Sequence, residues 1–101
     1  MGIALMYWDW FGSDETMNQF IEIIESGCKG LEGIEYYGNH NVINQKYHWV
    51  MIFEYDNMDN FEKEITKMYR QFRSIFDSRQ EFKKAMPYDH WEYFGGYLIK
   101  K

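Results

Sequence analysis

The stretch that most constrains the fold is 46–56, KYHWVMIFEYD. β-Branched and aromatic residues crowd it, and such residues favour an extended chain. Successive side chains on a strand point to opposite faces. Tyr47, Trp49, Met51, Phe53 and Tyr55 therefore share one face, and His48, Val50, Ile52 and Glu54 the other. Both sets are largely apolar. A strand with one wet face alternates apolar with polar residues, so this one is expected to be covered on both sides.

A second run behaves in the same way. Over 3–11, Ile3, Leu5, Tyr7, Asp9 and Phe11 fall on one face and Ala4, Met6, Trp8 and Trp10 on the other. Gly12 ends this strand, and Ser13 is placed to cap a helix whose first turn carries Asp14 and Glu15, acids that suit the positive end of its dipole. Met17, Phe20, Ile21, Ile24 and Cys28 form one stripe at helical spacing. Cys28 reads there as a small buried apolar residue. The helix is expected to end near Ser26, with Gly27 and Gly30 turning the chain.

Residues 31–38 predict a second strand, and the Asn-rich 39–45 a hairpin with His40 in its loop. The spacing of Asp59 and Glu62 suggests the start of a second helix. Phe61, Ile65, Met68, Phe72, Ile75 and Phe76 supply its apolar stripe, and Lys63, Lys67, Arg70 and Arg73 a solvated far side. Residues 77–86 either extend that helix or form a short one burying Phe82 and Met86, and Pro87 stops it. A last strand is expected over 88–99, with a bulge or kink at Gly95-Gly96.

The order is β-α-β-β-α-β in one domain over residues 1–101, the α+β ferredoxin-like arrangement. Right-handed crossovers then give a four-stranded antiparallel sheet of order 4-1-3-2 with both helices on one face. The first and third strands become central, and they are the two with apolar residues on both faces. Helices can cover only one face. The other is expected to meet a second surface, in the simplest case an identical chain related by a two-fold axis.

Composition narrows the function classes. Aromatic residues reach 21%, more than a small core can hold, so some are expected to line a groove or an interface. The net charge of −5 disfavours nucleic acid and anionic membranes as partners. RNA-recognition modules share the element order and stack bases on strand aromatics, but the third strand lacks their glycines. No apolar run approaches the roughly 20 residues of a membrane span. The single Cys28 rules out an internal disulfide and suits a reducing compartment, so a cytoplasmic location is expected.

The run LEGIEYYGNHNVINQKYHWVMIFEYDNMDNFEK has the layout of strand, short hairpin, strand and D-x-x-E helix start. With the element order, it resembles small uncharacterised members of the dimeric α+β barrel superfamily. The resemblance implies a homodimer in which two ferredoxin-like subunits pack sheet against sheet. It implies functions ranging from haem-degrading and quinone-forming monooxygenases to isomerases, dehydratases and proteins without known activity. Where such proteins have an active site, it usually lies between sheet and helices. The haem-degrading branch uses an Asn on the first strand and a Trp on the second helix. IALMYWDW has no Asn and the second helix no Trp, so haem is not expected, nor any other cofactor.

Two constellations follow from the topology. The end of the first strand and the starts of the third and fourth share one sheet edge, which gathers Asp9, His48 and His90. Two imidazoles and a carboxylate can bind a divalent metal or relay protons. No metal-spaced His or Cys motif supports a metal, so none is assigned, and the ordinary alternative is a solvent-exposed rim. Met6, Trp8, Trp49 and Trp91 can instead wall a site for a flat apolar ligand. Their alternative role is helix–sheet core and dimer interface. The expected function is cofactor-independent oxidation or isomerisation of a small apolar or aromatic molecule, with His48 or His90 as base. The competing expectation is a non-catalytic ligand-binding or assembly module.

Overall fold

The structure, a computed structural model, describes residues 2–43 and 46–86 with their side chains and the backbone of 91–97. In chain order the elements are β1 (Gly2–Trp8), α1 (Asp14–Lys29), β2 (Ile34–Asn41), β3 (Trp49–Tyr55), α2 (Met58–Ser78), α3 (Gln80–Ala85) and β4 (Trp91–Tyr97). The strands lie in the order β2-β3-β1-β4, and every neighbouring pair is antiparallel. The α+β ferredoxin-like arrangement expected from the element order is thus present, with α3 added before the last strand. Among the described residues, no helix is long and apolar enough to cross a membrane.

Register decides which face the helices cover. β1 pairs with β3 so that Ala4 lies opposite Phe53, Leu5 opposite Ile52, Met6 opposite Met51 and Trp8 opposite Trp49. Ala4, Met6, Trp8, Met51, Phe53 and Tyr55 are buried in one core with Phe20, Ile24 and Cys28 of α1 and Phe61, Ile65, Met68 and Phe72 of α2. Phe82 of α3 closes the end of this core, its ring 5.6 Å from Trp10, 5.9 Å from Phe20 and 6.2 Å from Phe76. The backbone N–H of Phe11 donates to the carbonyl of Ala85 at 2.6 Å and holds α3 in place.

Ile3, Leu5, Tyr7 and Ile52 point to the opposite face and are half-buried. Val50 lies among them and is buried. Tyr47 departs from the expected alternation. Residues 46–48 precede the ladder of β3, so the two-residue period does not bind them. The Tyr47 ring turns to lie 6.1 Å from Tyr7, on the face away from the helices.

Several boundaries shift for local reasons. β1 stops at Trp8 because Trp10 is drawn toward α1, where its Nε1 donates to the Ser13 carbonyl at 3.2 Å. α1 continues through Gly27 to Lys29, carrying Cys28 into the core, and Gly30 caps it. Ser13 caps its start as the sequence suggests, accepting from the Thr16 N–H at 3.2 Å. β2 starts after Gly33 (φ 68°) and runs on to Asn41, through the expected hairpin. A register shift between Tyr36 and Asn39, at Gly38 (φ 93°), lets that extra length pair with β3. Asn57, not Asp59, caps α2, its side chain accepting from the Asn60 N–H at 3.1 Å. β4 pairs with β1 through Gly95 and Gly96 without a register shift, so no bulge interrupts it there. Residues 88–90 and 98–99, assigned to the same strand from the sequence, lie outside the described residues.

Phe53 is 0% exposed at the centre of the sheet–helix core. Phe53→Ala is expected to lower the unfolding free energy by about 3–5 kcal/mol. Urea titration checks this: the midpoint should fall with the slope unchanged.

Candidate functional site

Asp9 follows the last residue of β1, and His48 precedes the first of β3. Because Trp8 pairs with Trp49, the next rung of the antiparallel ladder brings these two side by side. Oδ1 of Asp9 accepts from the His48 backbone N–H at 3.3 Å and lies 2.7 Å from His48 Nδ1. A carboxylate can only accept, so Nδ1 carries the proton and Nε2 of the neutral ring is left with its lone pair. Asp9 is 7% exposed, whereas the His48 side chain is 72% exposed. A buried carboxylate thus orients an exposed imidazole. Such a pair can take a proton from a bound molecule and return it.

His90, the third member of the expected edge cluster, lies outside the described residues. Among the described residues, no three His, Cys, Asp or Glu side chains form a group able to hold a metal ion.

The aromatic candidates are packed against one another. Trp8 stacks on Trp49 at 5.9 Å and 24°, meets Phe20 edge-on at 5.5 Å, and donates from Nε1 to Asn39 Oδ1 at 2.8 Å. Met6 is buried, and the Tyr69 hydroxyl donates to its sulfur at 3.9 Å. Trp91 lies opposite Trp8 in the sheet and is described by its backbone alone. Met6, Trp8 and Trp49 therefore occupy the space between sheet and helices. Two open depressions lie elsewhere among the described residues. One runs along the outer side of α2 between Lys63, Lys67 and Arg70, and the other lies beside Glu35, Glu54 and Asp56.

Three further clusters were not singled out in the sequence. The Tyr37 hydroxyl bonds Glu35 at 2.8 Å and Glu54 at 2.7 Å. These glutamates face each other across β2 and β3, and their bonds push the Tyr37 phenol well above its ordinary pKa. The sequence signal was available in principle: Tyr37 follows Glu35 by two residues, but the partner Glu54 depends on register. Glu64 is buried on α2 and pairs with Lys67 at 3.3 Å. Cys28 Sγ donates to Met68 Sδ at 3.4 Å, and burial, followed by the charge of Glu25, pushes its thiol up to about 12. Close by, the Tyr36 hydroxyl is buried without a hydrogen-bond partner among the described residues, and burial raises its pKa too.

No known protein family matches the chain. No curated protein matches it in sequence either. Solved structures do match in shape. HapK from Hahella chejuensis is 13% identical, with a TM-score of 0.69 over all of this chain and 95% of that one. A dimeric ferredoxin-like protein from an uncultured marine organism is 17% identical, with a TM-score of 0.63 over 99% of this chain and 95% of that one. The de novo designed protein Foldit4 is 11% identical, with a TM-score of 0.61 over 98% of this chain and all of that one. At these identities the likeness establishes the fold. It is ferredoxin-like, the subunit fold of the dimeric α+β barrels.

Three outcomes are expected. Nitrogen chemical shifts of the His48 ring should show the Nδ1–H tautomer when the ring is neutral, and Asp9→Ala should shift the population toward Nε2–H. The Cys28 thiol should resist alkylation at pH 8 in the folded chain and react within minutes in denaturant. Its pKa is raised above the model-compound value of 9.0. Its contribution to stability is therefore present below pH 9 and lost as pH rises toward 12, as denaturation at stepped pH should record.

Proposed function

We propose that two copies of this chain pair through the open sheet face as a dimeric α+β barrel, and that Asp9–His48 acts as a base toward a small apolar or aromatic molecule. The reaction is an isomerisation, or an oxidation by dioxygen, carried out without a cofactor. One observation carries the chemical part: Asp9 fixes His48 Nδ1 at 2.7 Å and leaves the other nitrogen on a largely exposed ring. The dimer rests on Ile3, Leu5, Tyr7 and Ile52, half-buried apolar residues on the sheet face opposite the helices. A fold neighbour described as dimeric supports it. The single buried thiol suits a reducing compartment, and we place the protein in the cytoplasm.

A second reading is a ligand-binding or assembly module without chemistry. The packing of Met6, Trp8 and Trp49 favours it, because these residues occupy the space where related folds keep a substrate. Nucleic acid and membranes have no part in either reading.

Light scattering should give twice the 12.4 kDa chain mass at micromolar concentration. Leu5→Glu, which places a charge on the apolar face, should return it to a monomer. Turnover of a panel of hydroxylated aromatic compounds should fall by about 10²–10⁴ in His48→Ala with the dimer intact. Turnover that survives His48→Ala would remove His48 as the base, and absence of turnover in the unaltered chain would favour the non-catalytic reading.

A further inference from the structure

Three large apolar side chains are exposed among the described residues: Phe11, Tyr37 and Ile43. Single exposed apolar residues are ordinary on a protein surface, so exposure alone says little. Tyr37 has its hydroxyl bonded to Glu35 and Glu54, toward the end of β3 away from His48. Phe11 and Ile43 carry no polar atom beyond the backbone. The chain sets both of them beside the Asp9–His48 pair.

Backbone bonds fix that placement. The Val42 N–H donates to the His48 carbonyl at 2.9 Å, which extends the pairing of β2 with β3 by one rung and sets Ile43 one residue further out. Phe11 stands two residues after Asp9, so their Cα atoms are at most about 7 Å apart. Its N–H donates to the Ala85 carbonyl at 2.6 Å, which holds this stretch against α3. Along the rim of the sheet the order is thus Ile43 after β2, His48 before β3, and Asp9 with Phe11 after β1. β2 and β1 lie two strand spacings apart, about 10 Å. His48 comes between them with its side chain 72% exposed. Phe11 is 57% exposed and Ile43 wholly so, and covering such apolar area with a ligand is favourable.

Resting on the base proposed above, we propose that Phe11 and Ile43 grip the apolar body of the molecule on which His48 acts. They determine specificity and take no part in proton transfer. The class they select is a flat molecule of about two fused rings, long enough to bridge the interval between β2 and β1. Its ionisable O–H or C–H is presented to the His48 ring. A strongly polar body is disfavoured, because neither side chain offers it a hydrogen bond.

α-Naphthol, a fused-ring aromatic with one ionisable hydroxyl, serves as the probe. Titrated into the isotope-labelled chain, it should shift the nitrogen resonances of the His48 ring and the methyl resonances of Ile43. Phe11→Ser and Ile43→Ser should each raise its dissociation constant about tenfold. The His48 ring resonances of either free variant should match those of the unaltered chain, since both substitutions fall on exposed side chains. Tyr37→Ser removes an exposed ring from the other end of β3 and should leave the constant unchanged. Affinity that survives both rim substitutions, or that falls as far in Tyr37→Ser, overturns the grip and leaves His48 standing as a base. Absence of any shift at His48 and Ile43 up to millimolar probe overturns it as well. Binding that depends on Phe11 and Ile43, in a chain that turns over none of the hydroxylated aromatic compounds, upholds the grip and removes the base.

Discussion

One layer of helices cannot cover two apolar faces of a sheet, and the rest of the molecule depends on how that constraint is met. β1 and β3 carry apolar residues on both sides. The helices bury the side holding Ala4, Met6, Trp8, Met51, Phe53 and Tyr55, and aromatic rings from four elements interlock there. The side holding Ile3, Leu5, Tyr7 and Ile52 keeps its apolar groups half-exposed, where burial would still be favourable at about 25 cal/mol per Å². That unspent driving force is the physical reason for proposing a second copy. It is also the reason to look for chemistry at the margin of this face.

The Asp9–His48 contact exists because the register of β1 and β3 is fixed. A slip of one residue would turn every side chain to the other face and separate the pair. Two features beside the pair oppose a slip. Trp8 stacks on Trp49 one rung away, and its indole N–H reaches across β3 to Asn39. The dipole of that hydrogen bond and the area of the rings secure the same end of the sheet where the imidazole is held. Rigid support of this kind is what a base needs, since a loosely held ring seldom meets its proton in line.

Much of the fold could be read from the chain because apolar periodicity is a local signal. The stripes on both long helices, the burial of Cys28, the Ser13 cap and the strand order all follow from spacing and chirality. What escaped has a common cause. Tyr47 was assigned by alternation to the face of Trp49, but it lies before the ladder, where no pairing enforces the phase. Asn57 and Asp59 both offer a capping oxygen, and the choice depends on where β3 releases the chain. Glu64 was not expected in the core, because its pairing with Lys67 is one of many i,i+3 contacts a helix offers. Of the edge cluster, Asp9 and His48 were legible from topology, since antiparallel ends must meet. The Tyr37–Glu35–Glu54 cluster was not, because the register shift at Gly38 decides which residues of β2 face Glu54.

The fold leaves function open, and the company it keeps makes this concrete: a designed protein shares it with natural ones at similar TM-scores. Function has to be argued from the site. Here the placement of the pair matters as much as its chemistry. Asp9 and His48 stand one residue past the last paired rung, Trp8 with Trp49, at the rim of the sheet. The helix side, where Trp8 and Trp49 were candidates to wall a ligand, is occupied by those rings themselves. A substrate of the proposed base would approach at that rim, where the His48 side chain is exposed. If a second copy covers the open face, the pair stands at the margin of that contact, next to the apolar surface that drives pairing. Assembly and chemistry would then be two consequences of one uncovered sheet.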